Sequence, residues 1–280
     1  MRLSPIHPVQ VNARVVENVL VAERTYRLRL DAPDIARAIK PGQFVMVRTA
    51  STLDPLLGRP FALYDVPADA LGMLDVVYLV VGRGTAALAE RRPGDAVSAW
   101  GPLGHPFGPP PEGDVVFVAG GIGQTPFVAL GRWWLGRVDY GGSLIARPAR
   151  SATLLYGVRT VALAAGLDDF AAAGVNVELA TDDGSAGHRG FVTDLLRHRL
   201  DRGDRPAKVV GCGPPPMLAA VSRLVAESGV ACDLSLENHM ACGFGVCFSC
   251  VAPIRQHDGS VDLRRVCVEG PVFPAGDVVW

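Results

Sequence analysis

Four cysteines near the C-terminus constrain this chain more than any other feature. Cys242, Cys247, Cys250 and Cys267 stand in the order C-x4-C-x2-C, with the last after sixteen intervening residues. This is the plant-type spacing by which four thiolates hold one [2Fe-2S] cluster. The first three lie in the loop from Ala241 to Cys250, where Gly243 and Gly245 let the backbone turn tightly and bring its N–H groups toward the sulfurs. Cys267 would close the site from outside the loop. A free cysteine often serves only as a small core hydrophobe. Four at this spacing, interleaved with glycine rather than Leu or Val, are poorly explained by packing. Structural zinc also uses four thiolates, commonly with shorter gaps, and stands as the alternative. Cys212, in a glycine-rich loop after a strand, and Cys232, ahead of the cluster run, are not read as ligands.

A chain of 280 residues has room for two medium domains and a small appendage. Its 27 Lys and Arg against 28 Asp and Glu give a formal net charge of -1, which argues against a nucleic-acid-binding surface. No uninterrupted apolar run reaches the roughly 18 residues of a membrane span, and no charged stretch leads into an apolar core of signal-peptide length at the N-terminus. The expectation is a soluble cytoplasmic chain, with no membrane or nucleic-acid partner. In that compartment thiols stay reduced and free to ligate.

The first hundred residues read as strands. Val9–Leu20 and Thr25–Leu30 alternate in part, and Gln43–Arg48 and Asp75–Val81 are short apolar runs. Pro33, Pro41-Gly42, Asp69, Gly72 and Pro93-Gly94-Asp95 punctuate them as turns. This pattern predicts a small antiparallel barrel. A stretch rich in Gly and Pro between Leu103 and Gly113 marks a boundary, after which the pattern changes. Val115–Ala119 is an apolar strand that feeds Gly120-Gly121-Ile122-Gly123 and then a helix-compatible run from about Thr125-Pro126. In the strand–turn–helix context such glycines admit a dinucleotide pyrophosphate, although the spacing is not the full G-x-G-x-x-G fingerprint and equally suits a plain tight turn. Further strands are predicted at Thr153–Tyr156, Val175–Ala180 and Lys208–Gly211. Between them lie helical stretches such as Met217–Glu227, whose Leu218, Val221, Leu224 and Val225 share one face. The alternation predicts a parallel sheet covered by helices, with Thr181–Gly184 and Gly211–Met217 at the carboxyl edge where such sheets bind ligands.

Barrel, nucleotide sheet and cluster loop in this order resemble the ferredoxin reductase superfamily. Arg59-Pro60-Phe61-Ala62-Leu63 resembles its flavin motif and Gly82-Arg83-Gly84-Thr85 its second flavin segment. Gly120-Gly121-Ile122-Gly123 and Cys212-Gly213-Pro214 resemble its nicotinamide-nucleotide segments. With the trailing Arg265–Phe273, the cluster loop is similar to that of the electron-transfer subunits of type B dihydroorotate dehydrogenase, and the resemblance spans nearly the whole chain.

The resemblance implies three units: an FAD-binding β-barrel over 1–104, an NAD-binding α/β domain over 112–230 and a [2Fe-2S] domain over 231–280. It implies that Arg59 pairs with the FAD pyrophosphate, a task suited to a guanidinium fork. Pro60 lies in the same motif, Phe61 and Leu63 line the isoalloxazine with Tyr64 beside them, and Gly82, Gly84 and Thr85 approach the phosphates. Where related reductases carry a hydroxyl near the flavin, this chain has Ala62, so a backbone N–H or water would have to serve. Gly120, Gly121, Gly123, Gly213 and Pro214 would receive NAD. Asp182, with Asp183 beside it at a strand end, would accept the adenosine ribose hydroxyls and repel a 2′-phosphate, while Arg159 nearby could favour phosphate instead. FAD would convert between hydride exchange with nicotinamide and single-electron traffic with the cluster. The implied partner is an FMN-containing dihydroorotate dehydrogenase catalytic subunit, in a heterotetramer of two catalytic and two electron-transfer chains serving pyrimidine biosynthesis. Phe244, Val246 and Phe248 are candidate interface residues. The alternatives are the NAD(P)H-acceptor module of a sulfide dehydrogenase, hydrogenase or bifurcating transhydrogenase and, from another class, a zinc-stabilised interaction subunit.

Overall fold

Strand β1, Val9–Ala22, is long because it serves two neighbours in turn: Val9–Arg14 pair antiparallel with β6, Ala96–Leu103, and Arg14–Ala22 pair with β2, Thr25–Asp31. The chain is described by a computed structural model over residues 7–49, 54–70, 72–142 and 145–280. After β2 come the short helix α1, Pro33–Ala36, then β3, Phe44–Arg48, β4, Arg59–Ala62, β5, Met73–Leu79, and α2, Arg83–Ala89. The six strands form one antiparallel sheet in the order β4-β3-β6-β1-β2-β5. Its two ends meet where Asp75 N donates to Asp65 O at 2.9 Å and Tyr64 N to Asp75 O at 3.0 Å, so the sheet curls into a barrel. Leu28, Leu30, Val45, Leu74 and Val76 fill its interior. Partial alternation marks β1 and β2 in the sequence, and short apolar runs mark β3 and β5, whose residues are buried without alternation. Neither signal marks β4, which is only four residues long and begins Arg-Pro.

The second unit starts with β7, Asp114–Gly120, a 3-10 turn over Gly121–Gln124, and α3, Phe127–Trp134. It continues through β8, Ser151–Val158, α4, Leu167–Ala173, β9, Asn176–Thr181, β10, His188–Arg189, α5, Val192–Asp201, β11, Lys208–Cys212, and α6, Pro215–Ser228. As the apolar spacing predicts, α6 buries Leu218, Val221, Leu224 and Val225; Pro215 stands in its first turn and it stops at Gly229. Last come β12, Cys232–Ser235, β13, Val251–Arg255, β14, Val261–Arg265, α7, Val266–Glu269, and β15, Val272–Pro274. The large sheet runs β10-β9-β8-β7-β11-β12-β15. All neighbours in it are parallel except β15, which returns antiparallel to β12. Strand pairing thus carries this sheet past residue 230 and takes in both ends of the C-terminal segment. Only β13 and β14 form a separate hairpin.

Two cores tie the units together. One runs from the barrel interior through Phe107 to Phe117, Phe127 and Trp134 beneath the large sheet. The other joins Phe44, Met46 and Leu103 of the barrel to β7, β11 and β12 and to Cys250, Ala252 and Cys267. Polar contacts cross the first boundary: Tyr64 donates to Asp169 at 2.6 Å, Tyr140 donates to Asp65 at 2.5 Å, and Arg132 pairs with Asp65. A buried bond to a charged acceptor contributes about 1.5–3 kcal/mol, so these contacts set how the barrel sits against the sheet. Among the described residues no helix is long and apolar enough to cross a membrane.

Candidate functional site

Strands β8 and β9 lie on one side of β7, and β11 and β12 on the other, so the carboxyl end of β7 is a topological switch point, where open parallel sheets hold ligands. A cleft of about 600 Å³ opens there, lined by Gly120, Gly121, Ile122, Gly157, Arg159, Asp182, Pro214 and Met217, and by Arg24 and Leu79 of the barrel. Four of the residues expected to receive the dinucleotide, Gly120, Gly121, Asp182 and Pro214, therefore meet in one cavity. Gly123 and Gly213 act behind it. A Cβ on Gly123 would stand 2.4 Å from the Cys212 carbonyl oxygen, and one on Gly213 would stand 2.9 Å from Gly120 N. These glycines let the turns after β7 and β11 touch. The two aspartates part company: Asp182 faces the cleft, whereas Asp183 accepts from Ser185 N and Ser185 Oγ in its own turn, and the Ser185 bonds hold its carboxyl below the usual range. Arg159 lines the cleft together with Asp182.

Cys212 is the last residue of β11 rather than part of the following loop, and burial pushes its thiol well above the ordinary range. Its Sγ lies 3.9 Å from Glu237 Oε1. Desolvation raises the Glu237 carboxyl, and the Cys212 thiol beside it lowers it in part. This acid was not singled out by sequence, because nothing in its spacing relates it to Cys212, 25 residues earlier. Cys232 is also buried, and desolvation pushes its thiol up to about 12.

On the barrel, the two flavin-like segments come together. The Arg59 guanidinium lies over Gly84, where a Cβ would stand 3.0 Å from its Cζ, Nε and Nη2 atoms, and its Nη1 donates to Leu57 O and Gly58 O. Pro60 and Ala62 are half-buried on one side of β4, while Phe61 packs against Tyr78 on the other. The expected roles of three residues need revision. Leu63 is fully buried in the core, and Tyr64 is buried and committed to Asp169, so neither side chain lines a groove. The Thr85 hydroxyl is spent on its own turn: it accepts from Val81 N and Gly82 N and donates to Gly82 O, which caps α2. Gly82 is open, with nothing near the position a Cβ would take. This surface presents a guanidinium at Arg59 and an open glycine at Gly82, groups of the kind that bind a pyrophosphate, with Pro60, Ala62 and Gly84 beside them.

In the cluster loop Gly243 and Gly245 adopt φ of 82° and 88°, the left-handed turns expected of them. Phe248 does the same at φ 55°, a conformation costly for a bulky residue, and Arg265 covers its ring at 5.0 Å. Arg265 also donates to Gly245 O at 3.3 Å and pairs with Glu269. The Ser249 hydroxyl, 3.2 Å from Cys247 Sγ, together with Ser249's backbone and then Cys242, brings the exposed Cys247 thiol down to about 6. Desolvation, then Cys250 beside it, pushes Cys267 up to about 12. The four thiols thus act on one another: Cys242 bears on both Cys247 and Cys267, and Cys250 on Cys267. The loop rests on the barrel: Trp100 Nε1 donates to Cys242 O at 2.9 Å, and Gly243 packs against Met46 and Leu103.

Comparison with known proteins agrees with this layout. The profile of the iron-sulfur cluster binding domain of dihydroorotate dehydrogenase B matches residues 237–279, and that of the oxidoreductase NAD-binding domain matches 117–223. The dihydroorotate dehydrogenase B (NAD(+)) electron transfer subunit of Desulforamulus reducens is 39% identical over 270 residues, which is 96% of this chain and 98% of that one. The corresponding subunit of Geobacillus kaustophilus is 38% identical over 268 residues, covering 95% and 96%. The chain belongs to the family of type B dihydroorotate dehydrogenase electron-transfer subunits. A solved structure of an NADH-dependent reduced ferredoxin-NADP oxidoreductase, studied for flavin-based electron bifurcation, superposes with a TM-score of 0.80 at 26% identity, covering 96% of this chain and 90% of that one. In this type B electron-transfer subunit, then, the antiparallel barrel, the parallel NAD-binding sheet and the C-terminal iron-sulfur segment follow the order of the motifs.

Proposed function

We propose that this chain passes electrons from an FMN-containing dihydroorotate dehydrogenase catalytic subunit through a [2Fe-2S] cluster and FAD to NAD+, in pyrimidine biosynthesis. The observation that carries the reading is the docking of the four-cysteine loop on the flavin barrel through Trp100, Met46 and Leu103. The loop thereby rests on β3 and β6, next to β4, which begins with Arg59. When bound, flavin supplies the exchange between two-electron hydride chemistry and one-electron steps.

The chain's own residues hold and orient. Cys242, Cys247, Cys250 and Cys267 would hold the cluster through their thiolates. Arg59 would neutralise the FAD pyrophosphate above Gly84. Gly120, Gly121 and Pro214 would admit the NAD pyrophosphate at the carboxyl end of β7, with Gly123 and Gly213 keeping the turns close. Asp182 would accept the ribose hydroxyls and disfavour a 2′-phosphate. The functional units are 1–104, 112–230 and 231–280, the last anchored to the NAD-binding sheet through β12 and β15. Six free cysteines suit a reducing cytoplasm. Exposed Phe244, Val246 and Phe248 surround the cysteines and would face the partner in a heterotetramer.

The test is co-expression with an FMN dehydrogenase from the same genome, co-purification, and measurement of dihydroorotate-dependent NAD+ reduction. Complex formation with turnover supports the reading. No complex and no FAD reduction by dihydroorotate, with turnover on sulfide, hydrogenase or ferredoxin partners, would favour the general NAD(P)H-acceptor reading. The likeness to the reduced ferredoxin-NADP oxidoreductase keeps that second reading in view.

A further inference from the structure

One side chain touches both the cluster loop and the flavin segment. Trp100 lies in β6 between β1 and β3, opposite Gln10 and Met46. The indole N–H at one edge donates to the carbonyl of Cys242, the first cluster cysteine, at 2.9 Å. At the tip of the six-membered ring, a Cβ on Gly58 would stand 2.5 Å from Trp100 Cη2, closer than packed atoms approach, and 3.2 Å from Cζ2. Gly58 immediately precedes Arg59, and its carbonyl accepts from the Arg59 guanidinium. The indole fits only because residue 58 has no side chain, and the two contacts span sequence separations of 142 and 42 residues. Gly243, next to Cys242, packs on Met46, which is paired with Trp100 across the strands. The same ring therefore sets the position of one cluster ligand relative to the pyrophosphate arginine.

We infer that Trp100 is a positioning residue for electron transfer between cluster and flavin. Through its N–H it fixes the Cys242 peptide, and through its ring it fixes the Gly58-Arg59 turn. A hydrogen bond to a ligand's peptide orients that ligand and tunes the group it holds. Tunnelling between two cofactors depends steeply on their separation, so a shared support for both ends governs the rate without taking part in the chemistry. The inference rests on the cluster and flavin assignments above.

The experiment compares wild type, Trp100→Phe, Gly58→Ala and Trp280→Phe as purified with their cofactors. Trp100→Phe keeps an aromatic ring and removes the donor; Gly58→Ala drives a methyl into the six-membered ring. Trp280, half-exposed and bonded to Ser222, serves as the control. The readouts are the spin-resonance g-values of the reduced cluster, amide exchange over residues 241–249, and stopped-flow rates for flavin reduction by NADH and cluster reduction by flavin. Loss of one net hydrogen bond predicts exchange about fivefold faster over the loop. It also predicts shifted g-values and a cluster-reduction step slowed relative to flavin reduction. Gly58→Ala should move the same readouts if Trp100→Phe proves insoluble, while Trp280→Phe should move none. Unchanged g-values and exchange in both test variants would overturn the inference, as would equal slowing of both electron steps. A wild type without cluster iron would instead overturn the underlying assignment.

Discussion

The Tyr64 hydroxyl donates a 2.6 Å hydrogen bond to the carboxylate of Asp169, joining the end of the flavin-like segment on the barrel to the first turn of α4 on the NAD-binding sheet. Burial first, and the Asp169 charge second, hold the Tyr64 phenol far above its ordinary range, so it stays a donor throughout physiological pH. Tyr64→Phe should lower unfolding stability by about 1.5–3 kcal/mol while leaving cluster iron unchanged. Urea denaturation checks this. A midpoint equal to wild type would mean that the contact does not hold the two units together.

The cluster assignment separates the six cysteines. Cys247→Ser should deplete iron and acid-labile sulfide while much FAD remains bound and is still reduced by NADH. Cys212→Ser should keep the cluster, since its buried thiol faces Glu237 and not the loop. Iron and sulfide analysis on both proteins decides, and undiminished iron in Cys247→Ser contradicts the assignment.

Gly123 offers a test of the nucleotide cleft. An alanine there must displace the Cys212 carbonyl, 2.4 Å from the new Cβ, and overpacking of this kind costs about 1–3 kcal/mol. The expected result is NADH binding weakened on the order of tenfold with normal iron content, measured by fluorescence titration. Unweakened binding would place the nucleotide elsewhere.

Asp182 and Asp183 should differ in their effect on coenzyme choice. Asp182 faces the cleft beside Arg159, whereas Asp183 is held by Ser185. Asp182→Asn should therefore raise the relative efficiency with NADPH on the order of tenfold, and Asp183→Asn should leave the preference unaltered. Steady-state diaphorase assays with both coenzymes check it. Equal use of NADH and NADPH by wild type would defeat the specificity reading.

Acid stability has a handle at the root of β7. The Arg150 guanidinium, and after it the Ser151 hydroxyl, bring the Asp114 carboxyl down to about 2. A carboxyl depressed in the fold contributes stability that is full above the unfolded value, about pH 4, and is lost as the pH falls through about 2. Asp114→Asn should melt below wild type at neutral pH, by a small margin because the pair is exposed. The two melting temperatures should converge as the pH drops from 4 to 2. A constant difference across that range would remove Asp114 from the acid response.

Sequence alone determined the order of the three units, most strands and the four-cysteine pattern read as cluster ligands, because each is local. The spacing from Cys242 to Cys250 lies within one loop, β1 and β2 carry their own alternation, and the face of α6 repeats within a few turns. It also marked Gly120, Gly121, Asp182 and Pro214, since residues at a strand's carboxyl end share one edge of a parallel sheet whatever their separation in the chain. Tertiary structure decided what depends on which distant surfaces meet. It turned Leu63 and Tyr64 into the core, spent the Thr85 hydroxyl on a helix cap, divided Asp182 from Asp183, and brought Glu237 to Cys212. The indole of Trp100 reached both Gly58 and Cys242 only once the C-terminal loop had folded back on the barrel. Contacts between segments this far apart leave no periodic trace in either segment, because their geometry is set by packing rather than by neighbouring residues.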